Sequence, residues 1–318
     1  MTIRQFAKEI KKNISLHKIA NEGNKSIAPI YLYNFWQDSS LDTWLARFMR
    51  FRGISTDKRI SLYSVFGDRE VIKFDKRDIK LFITAENIHF GNFKIFSDNM
   101  LASPEINLSM GFDKFDDERY LRFPLWMRVQ FAPEMSENDI IHRIQDLRYP
   151  VIGKRSKFAS LISRYDWGGT RSAIYEQLKH IDKIYCPSDV LHNDDTLRSK
   201  FKDNKDAYMR QFYFNICPEN SNADGYVTEK IFDAISAGCI PIYWGSYNEP
   251  EKHILNQDAI ILWNSDKSND DNVRNIETLY HNKSIMYDFL QQPRVNGNAE
   301  EMIVNFFDLL ETKLRTII

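Results

Sequence analysis

The 318-residue sequence has few cysteines and no excess of charge of either sign. Its three cysteines, Cys186, Cys217 and Cys239, are far apart and odd in number. Their apolar surroundings favour buried thiols over disulfides or a zinc site. Lysine and arginine total 43 and aspartate and glutamate 44, so the formal net charge is -1. Such a balance gives no overall field that attracts nucleic acid, and an anionic ligand would need local cations.

The sequence also lacks a long apolar run. No stretch approaches the length of a transmembrane helix, and the N-terminus has no apolar core of a signal peptide. These features predict a cytoplasmic protein with at most peripheral contact with the inner face of the membrane. Hydrophobic residues make up 43% and charged residues 27%, which is ordinary for a globular protein, and the length favours two domains.

Three nucleotide-binding signatures are missing. No Gly-x-x-x-x-Gly-Lys-Ser/Thr and no helix-opening Gly-x-Gly-x-x-Gly occurs, which argues against a P-loop protein and a dehydrogenase. No apolar strand ends in Asp-x-Asp, the carboxylate pair that clamps a metal–diphosphate complex. Asp113, Asp116 and Asp117 are close in sequence, but Arg119 and Arg122 follow them. We interpret this stretch as a salt-bridged loop, so that no metal is expected and basic side chains would neutralise a bound diphosphate.

Short apolar runs alternate with helical patterns, which is typical of an α/β fold. Strands are predicted over residues 29–34, 78–85, 107–111, 183–185, 211–217 and 239–244. Helices are predicted over residues 171–181, 229–237 and 299–318, and Gly238 is expected to end the second of them. The polar stretch 137–153 is interpreted as the junction between domains 1–152 and 153–318. The last helix carries an apolar face and is a candidate for packing back on the first domain.

Two helix starts look alike and are candidates for binding an anion. They are Gly-Gly-Thr-Arg at 168–171 and Gly-Tyr-Val-Thr-Glu-Lys at 225–230. In each, a threonine is a candidate N-cap and a cation lies in the first turn. A cation is unfavourable at the positive end of the helix dipole. A bound anion would reverse this, because backbone N–H groups and the cation would converge on it. The alternative is that Arg171 and Lys230 lie on solvated surface helices.

Each polar residue beside these helix starts has two possible roles. Glu229 either complements the helix dipole or accepts two hydrogen bonds from a ribose diol. Asn220 and Ser221 lie in the loop before the second start, where they form a turn or read a base edge or a phosphate.

A candidate general base follows a strongly apolar strand. Glu86 lies directly after the strand predicted over 78–85, and ligands of open α/β sheets bind outside the carboxyl ends of strands. His89 is an alternative base or a packing residue. Trp36 and Trp126 are candidate platforms for an acceptor sugar, although core packing is the commoner role of such rings.

Several blocks resemble glycosyltransferase family 10, the α-1,3/4-fucosyltransferases. The signature is matched by residues 214–221 (Phe-Asn-Ile-Cys-Pro-Glu-Asn-Ser), 225–231 and 240–246. Residues 84–87, 110–113 and 119–125 resemble a block of the N-terminal domain of the bacterial members. Arg171, Tyr175 and Leu178 resemble the family's Arg-x-x-x-Tyr-x-x-Leu helix. Pro218 and Tyr247 depart from the pattern, and the first seventy residues match poorly.

The resemblance implies a GT-B architecture, with two Rossmann-like domains facing across a cleft. It implies that domain 1–152 takes the acceptor and domain 153–318 takes GDP-β-L-fucose, with inversion and without an essential metal. It carries over Glu86 as the general base, Arg171 and Lys230 as diphosphate ligands, Glu229 as a ribose ligand, and Asn220, Tyr226 and Thr228 as lining of the donor site.

The expected partners are therefore GDP-fucose and a glycan acceptor, with no nucleic acid. A bacterial enzyme acting on O3 of a GlcNAc-containing glycan, such as lipopolysaccharide or O antigen, is the expected case. Regiochemistry, acceptor identity and oligomeric state stay open. Two alternatives also stay open: another inverting nucleotide-sugar transferase that acts on lipopolysaccharide core, and a non-catalytic nucleotide- or glycan-binding protein. The second would not need Glu86 together with both cations.

Overall fold

A computed structural model describes residues 3–22, 25–27, 30–35 and 41–318 of the chain. The strands are β1 (Lys25–Ile27), β2 (Ile30–Tyr33), β3 (Ile60–Tyr63), β4 (Ile79–Ile83), β5 (Leu108–Gly111), β6 (Tyr120–Arg122), β7 (Lys157–Leu161), β8 (Ile184–Tyr185), β9 (Phe212–Ile216), β10 (Ile240–Tyr243) and β11 (Ile261–Leu262). The α-helices are α1 (Ile3–Glu22), α2 (Leu41–Phe51), α3 (Leu125–Gln130), α4 (Glu137–Arg148), α5 (Thr170–Leu178), α6 (Thr196–Ser199), α7 (Lys205–Met209), α8 (Glu229–Ser236), α9 (Asp270–His281), α10 (Lys283–Leu290) and α11 (Ala299–Ile317).

The chain forms two compact units. Unit 1 comprises Met1–Arg128, Ala132–Glu134 and Phe306–Ile318, and unit 2 comprises Val129–Phe131 and Met135–Asn305. Each unit has its own sheet with helices around it, which is the layered arrangement expected of an α/β fold.

Unit 1 is built on a six-stranded sheet in the order β1-β2-β3-β4-β5-β6. Only the β1–β2 pair of this sheet is antiparallel, and the other neighbours are parallel. The carboxyl ends of β2 to β6 therefore share one edge. Strands β3 and β5 are buried along their whole length, as parallel strands covered on both faces are.

Aromatic rings join the last helix to unit 1. The ring centroid of Trp44 on α2 lies 5.3 Å from that of Phe123 and 6.2 Å from that of Phe307 on α11. All three side chains are buried, and such ring clusters contribute strongly to a core. The C-terminal part of α11 is thus an element of the unit 1 core.

Unit 2 has a five-stranded parallel sheet in the order β11-β10-β9-β7-β8. The chain runs outward from β7 to β8 and then returns to β9 on the other side of β7. The order of the strands therefore reverses between β7 and β9. In open α/β sheets, a ligand crevice lies outside the carboxyl ends of the strands at such a reversal.

Most elements predicted from the sequence are confirmed. The six predicted strands correspond to β2, β4, β5, β8, β9 and β10, and the three predicted helices to α5, α8 and α11. Gly238 follows α8 with a φ of +73°, the left-handed conformation that favours glycine after a helix end. The three cysteines are buried free thiols, and burial raises the pKa of Cys239 to about 12.

Residues 137–148 of the stretch interpreted as a polar junction form the helix α4. Ser136 and Asp139 form a capping box at the start of α4, and Ile140, Ile144 and Leu147 are buried on one face. This helix belongs to unit 2, and the division between the two compact units falls at residues 129–135. The domain bounds 1–152 and 153–318 stay a prediction. Abundant charged residues on the exposed face conceal the helical period in the sequence.

None of the helices in the described part of the chain is long and apolar enough to cross a bilayer.

Candidate functional site

A cavity of about 660 Å³ opens in unit 2 at the carboxyl ends of β7 and β9. It therefore lies at the reversal of strand order, where a ligand crevice is expected. Its wall comes from the loop after β7, the starts of α5 and α8, the end of β9 and the segment from Ser188 to Met209. Four of the predicted donor ligands line it, namely Arg171, Asn220, Glu229 and Lys230.

Arg171 connects the two loops at this edge. Its guanidinium donates to the carbonyl oxygen of Tyr165 (3.0 Å), the carbonyl oxygen of Pro218 (2.8 Å) and Oδ1 of Asn220 (3.0 Å). Burial lowers the pKa of Arg171, and the negative charges of Asp166 and Glu219 oppose that effect. The residue is only 4% exposed, yet it lines the cavity. The carbonyl oxygens hold this cation at a helix start that would otherwise disfavour it.

The start of α5 differs from the prediction. The N-cap is Gly169, with a φ of +70°, and not Thr170. The carboxylate of Asp166 accepts from the backbone N–H groups of Arg171 (3.0 Å) and Ser172 (2.8 Å) and from the Ser172 hydroxyl (2.7 Å). The expectation that these N–H groups converge on a bound anion is therefore wrong, because a side chain of the protein already occupies them.

A buried carboxylate organises the start of α8. Nζ of Lys230 donates to Oε2 of Glu219 (3.0 Å) and to Oγ1 of Thr228 (2.8 Å). Glu219 also accepts from the Thr228 backbone N–H (2.7 Å), the Thr228 hydroxyl (2.8 Å) and the Tyr243 hydroxyl (3.3 Å). Burial opposes the charged form of Lys230, but the carboxylates of Glu219 and Glu229 outweigh it and raise the pKa of the ammonium group. Lys230 is therefore positively charged at neutral pH.

Two predicted donor-site residues do not line the cavity. Thr228 is the N-cap of α8, as expected, but its side chain caps no backbone group and joins Glu219 and Lys230 instead. Thr228 is 2% and Tyr226 3% exposed. Neither is among the residues that line the cavity, and their direct contact with a ligand stays a prediction.

Glu229 is half-buried at the first position of α8 and lines the cavity. Within the part of the chain that the structure describes, its carboxylate has no hydrogen bond or ion pair. It therefore retains the capacity to accept two hydrogen bonds from a vicinal diol.

Sequence reasoning missed six charged residues of this site. Asp166 and Glu219 hold the two helix starts, whereas Arg164, Asp203, Lys205 and Asp233 line the cavity. Arg164 follows β7 closely, so recognising that strand would have given its signal. Asp233 lies four residues after Glu229 on α8, the spacing that places two side chains on one helix face. The positions of Asp166 and Glu219 depend on contacts across space, which motif spacing does not show.

Glu86 belongs to unit 1 and follows β4 at the carboxyl edge of that sheet. Its backbone N–H donates to the Thr84 hydroxyl (3.1 Å), which tightens the turn after the strand, and its side chain is half-buried. Nε2 of His89 lies 2.7 Å from Oδ1 of Asp113, and the Asn99 amide donates to Oδ2 of Asp113 (2.6 Å). His89 is thus part of a network with Asp113.

The structure can be compared with the predictions for the acidic loop and for one of the two tryptophans. Asp117 forms an ion pair with Arg119 at 3.0 Å, as expected of a salt-bridged loop. No group of three potential metal ligands occurs among the described residues. Trp126 is 1% exposed and therefore packs in the core, whereas Trp36 lies outside the described residues.

Two family descriptions match most of the chain. Residues 151–296 match the "Glycosyltransferase family 10 (fucosyltransferase) C-term" model, and residues 30–129 match the "Alpha-(1,3)-fucosyltransferase FucT N-terminal domain" model. The chain belongs to glycosyltransferase family 10. The predicted family is thereby confirmed.

Two curated proteins are similar to this family 10 chain. "Alpha-(1,3)-fucosyltransferase FucT" of Helicobacter pylori is 26% identical over 324 residues, which cover 90% of this chain and 64% of that protein. "GDP-fucose protein O-fucosyltransferase 3" of Danio rerio is 34% identical over 98 residues, 28% of this chain and 20% of that protein. The chain thus spans less than two thirds of the length of either relative.

Solved structures support the fold. A crystal structure of an α1,3-fucosyltransferase superposes with a TM-score of 0.59 at 22% identity, covering 90% of this chain and 89% of that one. A crystal structure of an α1,3-fucosyltransferase with GDP-fucose superposes with a TM-score of 0.57 at 22% identity, covering 94% of this chain and 95% of that one. The predicted α/β fold of GT-B type, with two Rossmann-like domains, is confirmed.

Proposed function

We propose that this chain is an inverting fucosyltransferase that uses GDP-β-L-fucose. The observation that carries the proposal is the cavity at the strand reversal of unit 2, in a chain of family 10. There a buried arginine and a charged lysine line the same cavity as the carboxylate of Glu229.

Arg171 and Lys230 are the proposed ligands of the diphosphate. As the bond from the anomeric carbon to the phosphate oxygen breaks, its electron pair moves to the leaving GDP. Both cations are held in place before the reaction by hydrogen bonds to protein oxygens. Preorganised positive charge of this kind stabilises a developing anion at little reorganisation cost. We infer that this arrangement makes a divalent metal inessential.

Glu229 is the proposed acceptor for the ribose hydroxyls, and Asn220 lines the donor site beside Arg171. For Thr228 and Tyr226 we propose a supporting role in the donor site. Thr228 fits it because its hydroxyl accepts from the ammonium group of Lys230.

Glu86 is the proposed general base. It would take the proton of the acceptor hydroxyl while that oxygen forms its bond to the anomeric carbon, on the face opposite the diphosphate. Inversion of the β-linked donor then gives an α-linked product. A carboxylate at the end of a parallel strand is suited to this task.

The acceptor we propose is a GlcNAc-containing glycan, fucosylated at O3, as in lipopolysaccharide or O antigen. The proposed setting is the bacterial cytoplasm, with at most peripheral contact with the inner face of the membrane. A rival is another inverting nucleotide-sugar transferase acting on lipopolysaccharide core. A non-catalytic binder is disfavoured, because binding alone would not need Glu86 besides the two cations.

The test is incubation of the chain with GDP-fucose and either N-acetyllactosamine or lacto-N-biose, in buffer containing EDTA, followed by linkage analysis of the product. We expect an α-1,3-linked fucose on N-acetyllactosamine, whose GlcNAc O3 is free, and none at that position of lacto-N-biose, whose GlcNAc O3 already carries galactose. We also expect thermal stabilisation by GDP but not by UDP or ADP. Stabilisation by UDP alone, with no fucosylated product, would favour the rival transferase. Stabilisation by GDP with no turnover on any acceptor would favour a binding protein.

A further inference from the structure

We propose that Asp233 recognises the guanine base of the donor, an inference that rests on the proposed use of a GDP-sugar. Asp233 lines the same cavity as Glu229 and Lys230. It lies one turn further along α8, which is a rise of about 6 Å from Glu229. A nucleotide with its diphosphate at Lys230 and its ribose at Glu229 would extend its base along the helix towards Asp233.

A hydrogen-bond network of neighbouring side chains orients the carboxylate of Asp233. The amide nitrogen of Gln130 donates to its Oδ1 at 3.0 Å. The amide oxygen of Gln130 in turn accepts from Arg143, whose guanidinium also donates to the Ser236 hydroxyl at 3.1 Å. An ionised carboxylate has about four acceptor positions, and this network uses one. The remaining acceptor positions of the carboxylate can take hydrogen bonds from a ligand in the cavity.

Ionisation of the Asp233 carboxyl group is energetically unfavourable when no ligand is bound. Burial, and then the nearby charge of Glu229, raise the pKa of Asp233 to about 6, against the opposing effects of Gln130, Lys205 and Lys230. Among the described residues, Asp233 has a hydrogen bond from Gln130 but no ion pair. A half-buried carboxylate in this condition gains from hydrogen-bond donors supplied by a bound molecule.

The surroundings of Asp233 suit a flat heterocycle. The cavity wall includes the apolar side chains of Leu197, Met209 and Ile216, each about 5% exposed or less. Met209 lies on α7, which packs against α8. Apolar walls with one fixed polar group are typical of sites that bind a small ring and set its orientation.

Guanine offers the donors that this carboxylate accepts. Its N1–H and its 2-amino group lie side by side and match the two oxygens of a carboxylate. Hypoxanthine keeps N1–H and lacks the amino group, and adenine has an acceptor at N1. A site built around an acceptor therefore favours guanine over both bases. Hydrogen bonds to a charged group would make the preference about 10- to 100-fold.

The experiment measures dissociation constants of GDP, IDP, ADP and XDP by calorimetry for the wild-type chain, Asp233→Asn and Asp206→Asn. Asp206 is an exposed carboxylate on α7 that pairs with Arg210 and does not line the cavity, so it is a matched control. We expect the wild type to prefer GDP. Asp233→Asn should weaken GDP binding about 10- to 100-fold and gain relative affinity for XDP, because an amide nitrogen can donate to the 2-oxo group of xanthine.

The outcomes separate this inference from the proposed function. A wild-type chain that binds no guanine nucleotide would overturn both. A wild type that binds GDP but does not prefer it to IDP would overturn the role of Asp233 alone, whether or not the variant folds. Equal loss of GDP and IDP in Asp233→Asn, without any gain for XDP, would also overturn it. An unchanged preference in Asp206→Asn, together with the XDP gain, supports it.

Discussion

At the scale of single residues, the side chain of Glu219 is a buried charge of unit 2 that several hydrogen bonds hold in place. It is fully buried and accepts hydrogen bonds from Thr228, Lys230 and Tyr243. A Cβ on Gly245 would lie 2.7 Å from Cγ of Glu219 and 2.8 Å from the Tyr243 hydroxyl. Glycine at this position thus leaves room for the carboxylate that holds the proposed diphosphate ligand Lys230.

Glu219→Gln tests this constraint. The substitution removes the charge opposite Lys230 and leaves the ammonium group without its ion-pair partner. Breaking a fully buried pair costs roughly 3–5 kcal/mol. Because a quarter of the Lys230 side chain is exposed, we expect a smaller loss of unfolding free energy, about 2 kcal/mol, measured by urea denaturation. GDP affinity should fall as well.

The control for this substitution is Glu249→Gln, which breaks an exposed ion pair with Lys252. Its effect should stay within about 0.5 kcal/mol. Equal stability of Glu219→Gln and the wild-type chain would show that the buried carboxylate does not hold Lys230.

At the scale of elements, hydrogen bonds hold the loop after β7 and the helix α5 together. Asp166 holds the first N–H groups of α5, and the carbonyl oxygen of Tyr165 holds the Arg171 guanidinium. The Ser163 hydroxyl also donates to the Tyr165 carbonyl oxygen at 2.9 Å. The backbone that carries Arg164 is therefore fixed on both sides where it lines the cavity.

Asp166→Ala should loosen the contact between this loop and α5. Loss of a side chain that caps a helix start costs about 1–2 kcal/mol, and we expect that loss in chemical denaturation together with weaker GDP binding. Asp166→Asn keeps an acceptor oxygen and should retain most of the stability. If both variants bound GDP as the wild type does, the Asp166 cap would have no part in placing Arg171.

Predictability from the sequence also differs between elements. β9, α8 and β10 were predictable because apolar runs, a threonine at the helix start and Gly238 mark their limits. The wall formed by the segment from Ser188 to Met209 was not, because its short helices carry no motif and α7 reaches the site by packing on α8. The anion-binding role of the α5 N–H groups was wrong, since Asp166 reaches them from outside the helix.

At the scale of the whole molecule, the chain returns to its first unit at its end. α11 begins in unit 2 and finishes in unit 1, where Phe307 contributes to the core beside Trp44 and Phe123. The division into two α/β units was predictable from length and from alternating strands and helices. The helical state of residues 137–148 was not, because α4 resembles a polar linker until its capping box and buried face are known.

The family signature gave the sequence prediction most of its functional content. Together with the pattern of the two helix starts, the family resemblance located Arg171, Asn220, Glu229 and Lys230, which the structure gathers around one cavity. It did not locate Asp233 or Arg164, because their relation to the site depends on which strand ends and helix faces line the cavity. Glu86 lies on the other unit, and its role as the base is a chemical proposal that needs a kinetic test.

The proposed role of Glu86 is tested most directly by comparing transfer and donor binding in Glu86→Gln, with Glu105→Gln as control, since Glu105 is an exposed glutamate of unit 1. Fucosyl transfer from GDP-fucose and the dissociation constant of GDP would be measured for both variants. We expect Glu86→Gln to lower turnover by about 10²- to 10⁴-fold with an unchanged GDP dissociation constant, and Glu105→Gln to behave as the wild type. Wild-type turnover in Glu86→Gln would contradict the role of Glu86 as the general base.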